Sequence, residues 1–124
     1  MPTILVLDDL EPVRILTRRY LEGAGYTVVG AQSAPAALQL LRKASPDLAI
    51  VDVRMPEMNG VEFALRAAEL RPGLRVLFMS AYPSPVLQME GLLAKHRFHF
   101  LPKPYTREAL LSMVRELLPA PVAT

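Results

Sequence analysis

Residues 47–60, Asp47-Leu48-Ala49-Ile50-Val51-Asp52-Val53-Arg54-Met55-Pro56-Glu57-Met58-Asn59-Gly60, carry the reading that decides the fold. Leu48–Val51 is apolar, of strand length and continuous rather than alternating, as a strand covered on both faces requires. It runs directly into Asp52. Asn59 then precedes Val61–Leu70, where Val61, Leu65 and Ala68 fall on one face of a helix. Outward from this unit lie three more strand-length apolar runs, Ile4–Leu7 and Val76–Met79, which are also continuous, and Phe98–Leu101, which His99 interrupts. A weaker fifth candidate, Thr27–Ala31, follows Gly25 and is rich in β-branched residues.

Segments with helical period separate these strands. Glu11–Glu22 places Val13, Leu16, Tyr20 and Leu21 on one face and runs into Gly23, a predicted C-cap. Ser33 can cap a helix reaching about Ala44, with Ala37, Leu38, Leu40 and Leu41 facing inward. Val86 to about Leu93 forms a shorter helix, and Thr106 caps the last, whose stripe is Leu110, Met113, Val114 and Leu117. Five strand–helix units in succession predict an α/β fold, a parallel sheet covered by helices on both sides. The 12 prolines fall mostly in predicted connections or near helix starts and so punctuate the pattern. Residues 1–118 read as one domain and Pro119–Thr124 as a flexible tail.

Bulk properties narrow the function classes. Hydrophobic residues make up 52% of the chain, which argues against disorder. The absence of cysteine removes disulfides, thiolate metal sites and cysteine nucleophiles, and agrees with a reducing cytoplasm. No uninterrupted apolar stretch is long enough for a membrane helix, and Met1-Pro2-Thr3 leads into the first strand without the features of a signal peptide. The formal net charge is only +2 and the basic residues are scattered, so a nucleic-acid surface is not predicted.

The reactive residues follow the strands. The first strand delivers Asp8 and Asp9, the third Asp52, the fourth Ser80 and the fifth Lys103. Ligands of open parallel sheets bind beyond the carboxyl ends of the strands, where the winding reverses. Three carboxylates, one hydroxyl and one ammonium therefore converge on one rim. Each of these residues alone reads as an ordinary cap, turn or surface residue; their distribution over four strands points to a site. Mutual repulsion of the carboxylates calls for Lys103 and a hard divalent cation, for which Mg²⁺ is the natural choice and Mn²⁺ a substitute. Such a setting suits a phosphoryl group.

The pattern resembles the receiver domains of bacterial two-component signalling over nearly the whole chain. The resemblance is carried by Ile4-Leu5-Val6-Leu7-Asp8-Asp9, by residues 47–60, by Val76-Leu77-Phe78-Met79-Ser80-Ala81-Tyr82 and by Phe100-Leu101-Pro102-Lys103-Pro104-Tyr105. It implies a doubly wound, CheY-like (flavodoxin-like) sheet of five parallel strands in the order 2-1-3-4-5 with five helices. It also implies that Asp52 takes a phosphoryl group from the phosphohistidine of a histidine kinase or phosphotransfer protein. Asp9 and Asp52 would ligate Mg²⁺ directly, Asp8 through water, and the Arg54 backbone carbonyl would complete the protein ligands. Ser80, the Ala81 N–H and Lys103 would bind the phosphate, and the Lys103–Pro104 peptide would be cis.

Switching follows from the same resemblance. Ser80 would move toward the phosphate and Phe100 would fill the vacated space, held there by burial because it lacks a tyrosine's hydroxyl. The face formed by the fourth helix, fifth strand and fifth helix would then change, for a downstream protein or a homodimer. Arg54 and Tyr82 stand where the family tunes phosphate lifetime, and their bulk predicts slow self-dephosphorylation. One departure is Leu10, where family members often carry an acidic residue; Glu11 follows one step later. The region from Tyr82 to Leu93 also looks like receivers fused to hybrid sensor kinases. His96 and His99 read as surface or sheet histidines, and Met79, Met89 and Met113 as packing residues.

Two rival readings are weaker. A Mg²⁺-dependent phosphatase of the haloacid dehalogenase type would need an Asp-x-Asp pattern after the first strand, where this chain has Asp8-Asp9-Leu10. An interaction module that works without phosphorylation would typically lose a key residue, and none is lost here.

Overall fold

The computed structural model of the chain describes residues 2–53, 60–80 and 98–118. Its strands are β1 (Thr3–Leu7), β2 (Thr27–Ala31), β3 (Leu48–Asp52), β4 (Arg75–Ser80) and β5 (His99–Pro102). They form one sheet in the order β2-β1-β3-β4-β5. Every pairing is parallel, with Leu7 opposite Ala31 and Val51, and Ser80 opposite Pro102. The winding direction reverses between β1 and β3, so the crevice expected of such a sheet opens where Asp8, Asp9 and Asp52 emerge. Parallel pairing also explains the continuous apolar runs. All five residues of β3 are buried, since neither face meets water.

Helices α1 (Glu11–Gly23), α2 (Ala34–Ala44) and α3 (Gly60–Leu70) are followed by a C-terminal helix, Arg107–Leu117. One sheet face packs Leu5, Leu7, Val51, Val76 and Phe78 against Ala37 and Leu41 of α2 and Phe63 and Ala67 of α3. The other packs Ile4, Val6, Ile50, Leu77 and Met79 against Leu21 of α1 and Leu110, Val114 and Leu117 of the C-terminal helix. Truncating a fully buried aromatic such as Phe63 or Phe78 to alanine removes about 3–5 kcal/mol.

Local chemistry sets the helix ends. The Ser33 hydroxyl accepts from Ala36 N at 3.4 Å and the Thr106 hydroxyl from Ala109 N at 3.0 Å, each relieving an unpaired amide of the first turn. α1 has no side-chain cap and instead carries Pro12 as its second residue, whose missing N–H costs nothing in the first turn.

Several expectations are corrected. Gly23 is the last residue of α1 rather than its cap, and the left-handed residue is Gly25, at φ 99°. Leu16, expected inward, is 48% exposed; Thr17 is buried in its place. One residue turns a helix by about 100°, enough to exchange the two sides. In α3 the deep stripe is Gly60, Phe63, Ala64 and Ala67, while Val61, Leu65 and Ala68 sit at its edge. The C-terminal helix buries Leu111 as well as the expected leucines and valine, leaving Met113 half-buried. Phe98 precedes β5 rather than beginning it, and is buried edge-on against Phe78 with ring centroids 5.3 Å apart. The predicted helix at Val86–Leu93 and the tail Pro119–Thr124 lie outside the described residues.

Candidate functional site

Asp8 follows β1 and is held by four contacts, three of which involve backbone atoms. Its N–H donates to the Ala31 carbonyl at 3.2 Å. Its Oδ1 accepts from Leu10 N at 2.9 Å, which leaves Oδ2 for Lys103. Its carbonyl accepts from the Arg14 guanidinium at 2.7 Å, one turn into α1. The side chain is completely buried, whereas Asp9 beside it faces solvent. Asp52 closes β3 and is 7% exposed. The three carboxylates each place an oxygen within 4.8 Å of the others.

Lys103 reaches this cluster from the far side of the sheet. Its Nζ lies 3.1 Å from Asp8 Oδ2 and 3.4 Å from Asp52 Oδ2. Burial by itself pulls the ammonium's pKa down, but attraction to Asp8 and then Asp52, with a hydrogen bond to each, outweighs it and holds the pKa above the usual lysine value. The backbone of Lys103 is fixed as well, its N–H donating to the Ser80 carbonyl at 2.9 Å, and the Lys103–Pro104 peptide is cis. Ser80 ends β4, 3% exposed, on the same rim.

Two unit charges about 4 Å apart interact by about 4 kcal/mol at the effective dielectric near a protein surface. Among the described residues three carboxylates face one ammonium, an excess of negative charge of the kind that a hard divalent cation offsets. The donor set, all oxygen with one exposed member, fits such an ion. The same rim carries the Ser80 hydroxyl and the Lys103 ammonium, groups that can bind the oxygens of a phosphoryl group.

The structure thus brings together Asp8, Asp9, Asp52 and Lys103, with Ser80 on the adjoining strand end. Phe100 is half-buried opposite Phe78 and packs on the core beneath α2 and α3. His99 is half-buried at the start of β5. Arg54, Ala81, Tyr82, Met89 and His96 lie outside the described residues. Sequence reasoning missed Arg14, Thr17 and Tyr105. Thr17 is 1% exposed, and its hydroxyl forms a hydrogen bond with that of Tyr105. A threonine at the apolar spacing of Val13, Tyr20 and Leu21 was the available signal.

A family model for the response regulator receiver domain matches residues 4–115. The chain belongs to the receiver domain family. This receiver domain is 37% identical over 115 residues to the response regulator MprA of Mycobacterium sp. (strain KMS), covering 93% of this chain and 50% of that protein. It is 33% identical over 118 residues to the sensor kinase CckA of Brucella abortus, covering 94% of this chain and 12% of that one. The receiver domain therefore spans half or less of the length of these relatives. Among solved structures, the chemotaxis response regulator CheY4 of Vibrio cholerae superposes with a TM-score of 0.86 at 30% identity, covering 95% of this chain and 99% of that one. Receiver domains are signalling modules of two-component systems, and the sheet order here is that of the CheY-like fold. Among the described residues no helix is long and apolar enough to cross a membrane.

Proposed function

We propose that this receiver domain is a phosphorylation switch whose acceptor is Asp52, with a histidine kinase or histidine phosphotransfer protein as donor. An Asp52 carboxylate oxygen attacks the phosphorus of phosphohistidine; the P–O bond forms as the P–N bond breaks, and the imidazole leaves with its electron pair and takes up a proton. The observation that carries the reading is the position of Asp52, at a strand end within reach of Lys103 and two further carboxylates. Asp8, Asp9 and Asp52, with the backbone carbonyl of Arg54, would hold Mg²⁺. When bound, the ion supplies positive charge to the phosphoryl oxygens. Lys103 pairs with one oxygen, and Ser80 and the Ala81 N–H donate to others.

The domain turns over no external substrate; its chemistry is confined to its own phosphorylation and slow self-dephosphorylation, slowed by Arg54 and Tyr82. Phosphorylation draws Ser80 inward, Phe100 follows, and the surface around β5 and the C-terminal helix changes for a downstream protein or a second copy. The reading takes residues 1–118 as the domain and 119–124 as its tail, and places the exchange in the cytoplasm. A relative that is a sensor kinase supports a setting in which the receiver is joined to a kinase.

The test is incubation of the protein with Mg²⁺ and a small phosphodonor such as acetyl phosphate, read by intact mass. Wild type gains one phosphoryl group and Asp52→Asn gains none. A wild type that stays unmodified would reject the switch in favour of an interaction module independent of phosphorylation.

A further inference from the structure

The bond between Thr17 and Tyr105 joins residues 88 apart in sequence, across the seam between α1 and the turn that carries Lys103. It is an uneconomical way to stabilise a core. A buried hydroxyl pair gains little over an apolar pair of the same shape, since both groups give up water to make one bond. Its effect is geometric. Tyr105 stands two residues beyond Lys103, half-buried against the core beneath α1 and the C-terminal helix. On the near side, the Lys103 N–H is tied to the Ser80 carbonyl. The turn is therefore pinned on both flanks of its lysine.

That pinning matters because lysine is a long, flexible stem with a point charge at its end. An ammonium that must lie 3.1 Å from Asp8 and 3.4 Å from Asp52 keeps that place only if its backbone does not swing. The same helix also fixes the other partner. Arg14, one turn before Thr17, donates to the Asp8 carbonyl. Both ends of the Lys103–Asp8 ion pair therefore hang on α1.

We infer that Thr17 and Tyr105 are positioning residues for phosphorylation, acting through Lys103 by holding its turn against α1. The inference rests on the reading of Asp52 as phosphoacceptor. The described hydrogen bond of each residue is to the other and not to a carboxylate; each acts by limiting where the ammonium can be. In the wild type the hydroxyl pair keeps Lys103 between Asp8 and Asp52, and without it the turn explores positions in which the charge is misplaced.

The experiment uses the full chain, acetyl phosphate and Mg²⁺, with the rate of phosphoryl gain followed by intact mass. Thr17→Val and Tyr105→Phe keep shape and remove one hydroxyl each. Each slows phosphorylation roughly fivefold, the size of one net hydrogen bond, and the double variant is no slower than either. Thr17→Ser, which keeps a hydroxyl, stays near the wild-type rate. The decisive arm is a Lys103→Met background, in which Tyr105→Phe causes no further slowing, because the residue it positions is gone. A general loss of packing would slow both backgrounds alike, and that result would overturn the inference. So would wild-type rates in both single variants while Asp52→Asn stays inert, which leaves the acceptor assignment standing. A wild type that gains no phosphoryl group overturns both.

Discussion

Gly60 stands so close to Asp52 that a Cβ added to it would lie 2.2 Å from the Asp52 carbonyl oxygen. The same atom would be 2.8 Å from Val51 Cγ1, and the Gly60 N–H already donates to the Val53 carbonyl at 2.8 Å. The start of α3 is thus pressed onto the end of the strand that bears Asp52. Neither the backbone of β3 nor the fully buried Val51 can retreat without moving the site. Gly60→Ala should lower the free energy of unfolding by about 3 kcal/mol, measured by urea denaturation. The remaining folded protein should phosphorylate more slowly than wild type.

Divalent metal should stabilise the fold, because the three carboxylates converge only when β1 and β3 are paired. An ion that binds only the folded chain adds about 2.7 kcal/mol at a hundred times its dissociation constant. Thermal unfolding with and without Mg²⁺ measures that increment. Asp9→Asn, at the exposed member of the cluster, should abolish it while leaving the metal-free midpoint unchanged or higher, since one repulsive charge is gone. An increment equal to that of wild type would remove Asp9 from the ligand set.

Loss of the ammonium should have the opposite sign. Lys103→Met removes the cation that pairs with both the fully buried Asp8 carboxylate and Asp52. In metal-free buffer the variant should be less stable by about 3 kcal/mol, the low end for breaking a buried pair because the lysine is 15% exposed. Chemical denaturation in a chelating buffer decides it; a change below the error of extrapolation would show that the pair contributes little.

Arg14 tests the α1 anchor of the site. Its stem lies over Gly30, with Cδ 3.5 Å from where a Cβ there would be, and its guanidinium holds the Asp8 carbonyl. Arg14→Met retains the apolar cover and removes the donor. The expected loss is about 1 kcal/mol of stability. Mg²⁺ affinity, read by titration calorimetry, should weaken as the Asp8–Asp9 segment loosens.

Tyr26 predicts an alkaline effect. It is 4% exposed, and its hydroxyl has no hydrogen-bond partner among the described residues. Burial raises its pKa above the usual 10.0, and the positive charge of Arg115 offsets this only in part. A group whose pKa is raised by folding adds stability that is complete below its unfolded value and disappears as pH climbs through the folded one. Stability should therefore fall above about pH 10, and Tyr26→Phe should flatten that fall. Near neutrality the variant should match wild type or exceed it by about 1 kcal/mol, since an unpaired buried hydroxyl is removed. Unfolding midpoints at pH 7 and above pH 10 provide the comparison.

The strand–helix alternation was readable in the chain itself, because strand segments buried on both faces are apolar without interruption, as Ile4–Leu7 of β1 and Leu48–Val51 of β3 are. So was the set of residues at or just past the strand ends, Asp8, Asp9, Asp52, Ser80 and Lys103, since parallel topology sends every carboxyl end to one rim. Periodicity was less informative about which side of a helix is deep: Leu16 faces water and Thr17 the core, and α3 turns Phe63 rather than Val61 fully inward. A stripe that is apolar over a wide arc does not define its own centre; the neighbouring elements do. Only packing decided that Arg14 grips Asp8, that Gly60 abuts Asp52 and that Thr17 meets Tyr105. Those contacts join side chains and backbone brought together from different elements, and their partners are chosen by how the helices settle on the sheet, which no local pattern encodes.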